Sequence, residues 1–192
     1  MKTIKSPWKL LGLASCLSGC TTMLAHTTIE PYTKIKQQRN ALELLAENYC
    51  TEKRTQPGNN QPALLPDYIY TTDGCSRWPD GSWQVCCIVH DIAYWCGGSQ
   101  QDRQEADEWL KQCANDKSKL MGSTMYPGIR VGGVPWLPTP WRWGYGFDNW
   151  PQGYENLEQS PAVDVLLEKL NARSIIEKHF KDIPSGLPNP PN

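Results

Sequence analysis

The feature that most constrains this chain is a pair of adjacent cysteines one helical turn ahead of a histidine and a carboxylate. The stretch reads Cys86-Cys87-Ile88-Val89-His90-Asp91, with Tyr94 one turn further on. Residues four apart share a helix face, so Cys86, His90 and Tyr94 form one stripe and Cys87 and Asp91 the adjacent one. His90 and Asp91 can serve as a catalytic pair, as metal ligands, or as ordinary polar residues on a helix.

What the cysteines do depends on the compartment. Lys2, Lys5 and Lys9 followed by the apolar run Leu10 to Leu17 have the form of an export leader. That run is shorter than the roughly 20 residues a spanning helix needs. It ends in Leu17-Ser18-Gly19-Cys20, which resembles a bacterial lipobox, with Cys20 as the lipid-modified first residue of the mature protein. Thr21, rather than an aspartate, points to the outer membrane if the source is Gram-negative. Cys16 leaves with the leader and Cys20 carries lipid. Six cysteines remain: Cys50, Cys75, Cys86, Cys87, Cys96 and Cys113. An even number in an oxidising compartment reads as disulfides. In a cytosolic chain Cys75, Cys87 and His90 would instead suggest zinc; the leader argues against it.

Charge excludes one class of partner. The formal net charge of -1 offers no basic field for nucleic acid. Removal of the three leader lysines makes the mature protein mildly acidic, so acyl chains rather than electrostatics would hold it at a membrane.

Residues 20–36 read as a tether. Ala41, Leu44, Leu45 and Tyr49 have helical spacing and predict an amphipathic helix from Gln37 to near Cys50. Thr55 to Pro66 is loop by composition, and Pro79-Asp80-Gly81 is a turn by its chemistry. Trp83 to Trp95 predicts a helix stopped by Gly97-Gly98. Ser99 is the expected N-cap of the next helix, with Gln101 and Asp102 in its first turn and Ala106, Trp109, Leu110 and Cys113 along one face to about Lys119. Met125 to Tyr154 shows no regular period and is rich in Gly, Pro and aromatics. Ser160-Pro161 predicts the cap and first residue of a helix with Val163, Leu166, Leu167 and Leu170 as its core stripe. Asn171 is expected to break it before Ile175, Ile176 and Phe180. The tail 184–192 is expected to be disordered.

The short Gly-Gly-Ser connection makes the two central helices antiparallel neighbours. Facing residues in such a pair have a nearly constant sum of residue numbers. Cys86 with Cys113 and His90 with Asp107 agree within a turn. One register can therefore close a disulfide and set a carboxylate opposite the imidazole. A carboxylate that accepts the proton of one ring nitrogen leaves the other nitrogen as a base. Asp91, on the neighbouring stripe, is free for a hard cation, with Asp73 and the Gly74 carbonyl as further oxygens. Cys75 could staple that loop to Cys87.

These residues resemble the secreted, calcium-dependent phospholipases A2. The family's Cys-Cys-x-x-His-Asp with a later tyrosine is matched by Cys86, Cys87, His90, Asp91 and Tyr94. Asp73-Gly74-Cys75 is similar to the short calcium loop of prokaryotic members, and Asp107 and Cys113 match the second helix. The likeness covers about residues 72–114. It implies a mainly α fold with a disulfide-linked antiparallel two-helix core and a calcium loop, to which the patterns above add extra N- and C-terminal helices and a Trp/Gly/Pro-rich loop region within a domain at 37–183. It implies the pairs Cys75–Cys87 and Cys86–Cys113, which leaves Cys50 for Cys96, a pair the family does not dictate. The implied chemistry is hydrolysis of the sn-2 ester of glycerophospholipids. His90 would activate water, Asp107 would orient His90, Tyr94 would bond Asp107, and Ca²⁺ would sit on Asp73, Gly74 and Asp91. A monomer is expected, set on the bacterial envelope by the lipid on Cys20.

The sequence departs from the family in three places. The Cys75–Cys87 segment is short, Trp78 stands where animal members have a glycine, and nothing after about Lys119 aligns. Trp136, Trp141, Trp143 and Trp150 suit either a membrane interface, or packing of a loop onto the core or over the substrate slot. Arg142 among them could meet a phosphate or stack on a ring. A second reading of the whole chain is a catalytically silent envelope lipoprotein that binds lipid or a partner.

Overall fold

The computed structural model describes residues 36–55, 63–79, 81–157 and 160–179. The leader, Cys20, most of the tether, Asp80, Phe180 and the tail lie outside these residues. The described chain is a small all-α fold with six helices and three disulfides. No helix among the described residues is long and apolar enough to cross a membrane.

Helix α2 (Gln84–Cys96) is the centre of the molecule. Every residue from Val85 to Cys96 is buried. A helix this apolar on all sides must be surrounded: α1 (Lys36–Arg54) and α3 (Gln100–Lys117) both pack against it. Gly97 ends α2 at a φ of 69°, a left-handed conformation that a side chain would strain. Ser99 then caps α3 in a reciprocal box: its hydroxyl accepts from the Asp102 amide (3.1 Å), and the Asp102 carboxylate accepts from the Ser99 amide (2.7 Å). Cap and glycines together turn the chain back within three residues.

Three cystines fasten the helices to one another: Cys86–Cys113 joins α2 to α3, Cys50–Cys96 joins α1 to α2, and Cys75–Cys87 joins the preceding loop to α2. Lys53, buried in the last turn of α1, reaches Asp102 at 3.0 Å and links α1 to the start of α3. Helix α1 begins at Lys36 and runs past its expected end near Cys50 to Arg54. Its buried stripe is Leu42, Leu45, Ala46 and Tyr49, while Leu44 is 58% exposed.

The larger departure lies in the stretch without a period. Met121–Gly132 forms helix α4, packed along α3, despite Pro127 within it. Its buried or half-buried positions Met121, Met125 and Ile129 recur every four residues. The three glycines and the proline of the helix mask that repeat. Beyond α4 the chain runs in turns through Trp143, which is fully buried and donates from its indole to the Gly98 carbonyl (3.0 Å). Trp136 and Trp150, by contrast, are exposed. The tryptophans thus divide between core and surface. Helices α5 (Val163–Lys169) and α6 (Ala172–His179) cover α1, with Leu166 in the core and Asn171 at a φ of 51° between them. The expected Ser160 cap is not made. Ala162 precedes α5 with no side-chain cap.

Candidate active site

The site begins with Asp107, whose carboxylate on α3 has no exposed side-chain surface. A buried carboxylate is tolerable only with its lone pairs bonded and its charge matched. Oδ1 lies 2.9 Å from His90 Nε2 and accepts from the Tyr94 hydroxyl at 2.7 Å, both on α2. Oδ2 accepts from Arg130 Nη1 on α4 at 2.5 Å, with Arg103 Nε 3.8 Å away. Burial pushes the Asp107 carboxyl up. The bonds from His90, Tyr94 and Arg130 outweigh it and hold the group below the usual carboxylate value. Asp107 is therefore an anion at neutral pH.

An anion at Nε2 sets the histidine tautomer. The Nε2–H donates to Asp107, which leaves Nδ1 with its lone pair outward. Burial opposes a proton on His90, but contacts with Asp107 and Asp91 prevail and raise its proton affinity above the ordinary value. Nδ1 is 4.0 Å from Asp91 Oδ1, too far for a hydrogen bond and a charge contact only when the ring is protonated. Tyr94 is pushed well above its usual range by burial and the Asp107 charge, so it remains a donor. Its oxygen in turn accepts from Arg103 Nε at 3.1 Å.

The loop before α2 is pinned beside the ring. Tyr70 donates to the Ile88 carbonyl (3.0 Å) and Tyr145 to the Thr71 carbonyl (2.6 Å), in addition to the Cys75–Cys87 bond. Thr72 donates its hydroxyl to Asp91 Oδ2 (2.6 Å) and accepts from the Gly74 amide (3.1 Å). Of the expected cation donors, Asp91 and Gly74 both line the cleft beside His90, and Asp73 does not. Asp91 is buried, and burial pushes its carboxyl up to about 6, with the Asp73 charge adding to the effect. No lysine or arginine pairs with Asp91 among the described residues. Asp73 is exposed, and its carboxylate accepts from the Ser76 hydroxyl (2.6 Å). Among the described residues no three His, Cys, Asp or Glu side chains gather as a metal cluster. The donor set is nonetheless of the right kind for a hard cation: oxygens only, around a buried carboxylate whose charge lacks a cationic side chain.

His90, Asp91 and Tyr94 open onto a cleft of about 320 Å³. Its walls are largely apolar: Trp78, Leu110, Met125, Ile129 and Trp141. Trp78, at the lip, donates its indole N–H to the Met121 sulfur (3.1 Å) and so ties the loop to α4. Gly133 passes close behind the site; a Cβ there would lie 2.5 Å from the Tyr94 hydroxyl. Among the described residues Arg77 is the one lysine or arginine lining the cleft, at a φ of 62° with its guanidinium 5.4 Å over the Trp141 ring. Arg142, a sequence candidate for phosphate, is buried elsewhere and donates to the Phe147 carbonyl (3.3 Å).

Sequence reasoning passed over four residues here: Thr72, Arg77, Arg103 and Arg130. Arg103 left a signal, because it lies one turn before Asp107 and faces Tyr94 in the register that pairs His90 with Asp107. Arg130 lay in the stretch that showed no period. No protein-family model matches the chain, and no curated protein or solved structure is a match for it.

Proposed function

We propose that this protein is a calcium-dependent phospholipase A2, tethered through Cys20 to a bacterial envelope. The observation that carries the proposal is a His90–Asp107 pair with Nδ1 unbonded by Asp107, at the wall of an apolar cleft. A buried dyad beside a dry slot suits ester hydrolysis on an apolar chain, whereas a purely structural histidine has no need of an opening.

In this reading an acyl chain lies along Leu110, Met125 and Ile129, with its ester beside His90. His90 Nδ1 takes a proton from water as the water oxygen bonds to the ester carbonyl carbon. The tetrahedral centre then collapses, the bond from carbon to the glycerol oxygen breaks, and the proton passes from Nδ1 to the departing alkoxide. The products are a fatty acid and a lysophospholipid. Asp107 holds the tautomer throughout and stabilises the imidazolium that forms. Calcium, held by Asp91, Asp73 and the Gly74 carbonyl, would supply positive charge for the carbonyl oxygen.

The test is hydrolysis of vesicles of defined phospholipids with calcium and with EDTA, the products being identified by chain position. Release of the sn-2 acid that stops in EDTA is expected. Release that continues in EDTA would sink the proposal, and binding without turnover would leave a lipid-binding protein instead.

The mouth of the cleft suggests a second measurement. Arg77 stands where a lipid phosphate would pass, so Arg77→Glu is expected to raise KM for anionic phospholipids about tenfold with kcat little changed. An unchanged KM would remove Arg77 from head-group binding.

A further inference from the structure

We infer that Arg130 is a positioning residue for the His90–Asp107 pair, brought in by α4 and seated there by Arg103; the inference rests on the hydrolytic reading above. The dyad itself comes from α2 and α3, and Arg103 on α3 puts a cation 3.8 Å from Asp107 Oδ2 without bonding it, so the hydrogen bond to that oxygen comes from another helix. To accept a proton His90 must be neutral, and in that state it contributes no positive charge to Asp107. A carboxylate as buried as Asp107 would then tend to take a proton itself and cease to dictate the histidine tautomer. A fixed cation on the far oxygen removes that alternative. Arg130 Nη1 is bonded to Oδ2, the oxygen that His90 and Tyr94 leave free.

Arg103 supplies the placement. Its side chain is 2% exposed and its guanidinium makes four hydrogen bonds. Nε donates to Tyr94 Oη (3.1 Å), Nη1 to Tyr154 Oη (2.9 Å), and Nη2 to the carbonyls of Ile129 (3.1 Å) and of Arg130 itself (2.6 Å). Those carbonyls belong to the last turn of α4, where a cation is favoured, and the Ile129 carbonyl accepts from the Gly133 amide (2.9 Å) as well. One buried arginine therefore grips the main chain of the second, while sharing Tyr94 with the carboxylate. Arg103 lies too far from Asp107 Oδ2, at 3.8 Å, to replace the bond from Arg130. The arrangement makes α4 a required third part of the site.

The experiment compares the full-length protein with Arg130→Gln, Arg130→Met and Arg130→Lys. Each is also combined with Asp107→Asn and assayed on phosphatidylglycerol–phosphatidylethanolamine vesicles with calcium. Both neutral variants are expected to lower kcat about 10- to 100-fold with KM within about twofold, as for a displaced reacting group. Lys should recover most of the loss. On the Asp107→Asn background the same changes at 130 should have almost no further effect. Alongside, ¹⁵N NMR of His90 at one alkaline pH reads the tautomer without any turnover. The wild type should carry its proton on Nε2, and the neutral variants should show a mixture. An unaltered tautomer, a change confined to KM, or an equal loss on the Asp107→Asn background overturns the role of Arg130. A wild type that hydrolyses nothing but shows the tautomer shift would refute the phospholipase reading and leave the positioning role standing. Met keeps the aliphatic stem along α4, so the comparison survives if the Gln variant does not fold.

Discussion

His90→Ala is expected to reduce calcium-dependent fatty-acid release by about 10²- to 10⁴-fold, the range associated with loss of a general base. The fold should survive. Asp107 keeps its bonds from Tyr94 and Arg130, so its charge remains matched, and all three cystines are untouched. Retained far-UV circular dichroism and vesicle binding would separate lost chemistry from lost structure. Turnover within a few-fold of the wild type would mean that His90 is not the base.

Asp107→Ala should act in the opposite manner, with a large effect on stability as well as on turnover. Removing one partner of a buried ion pair leaves uncompensated charge and typically costs about 3–5 kcal/mol. Here Arg103 would be the stranded cation, with His90 and Tyr94 losing an acceptor. Arg130, whose side chain is 27% exposed, can turn to water, so the lower end of that range is expected. Denaturant unfolding with the disulfides intact provides the measurement. A loss below about 1 kcal/mol would show that the network carries little of the stability.

The same residue predicts an acid dependence. Burial alone would raise the Asp107 carboxyl, but its bonds to His90, Tyr94 and Arg130 leave it depressed in the folded state. A depressed carboxyl contributes stability above its unfolded pKa, near ~3.9. That contribution disappears as pH falls through the lower folded value. The stability gap between wild type and Asp107→Asn should therefore be widest at about pH 5, where the proton that Asp107 helps to hold on His90 adds to it, and should narrow below about pH 4. A gap that stays constant down to pH 2 would mean that Asp107 is not held below its ordinary value.

How legible the site was depends on how local each piece is. The α2–α3 hairpin could be read because its signals are contiguous: a glycine stop, a Ser99–Asp102 cap, and a stripe that includes Cys113. Its register could be read because two independent pairs, Cys86 with Cys113 and His90 with Asp107, demand the same offset. The neighbourhood of Asp91 was legible in composition but not in geometry. Asp73 points to Ser76, and Thr72 rather than a charged group bonds Asp91. Leu44 shows the limit of periodicity, since a helical stripe of apolar residues tells nothing of where the partner helix stops covering it.

What the sequence by itself determined was the central pair of helices and the six cysteines that could be joined; helix periods and caps are properties of neighbouring residues. Only the tertiary structure decided what surrounds Asp107. Helix α4 is poor in intrinsic helical signal, with three glycines and Pro127 in twelve residues. It is held by packing along α3 and by the grip of Arg103 on its last turn. The cation that hydrogen-bonds the buried carboxylate arrives 23 residues later in the chain. No short-range pattern encodes that contact, because burial of a charge is a demand made by the assembled core.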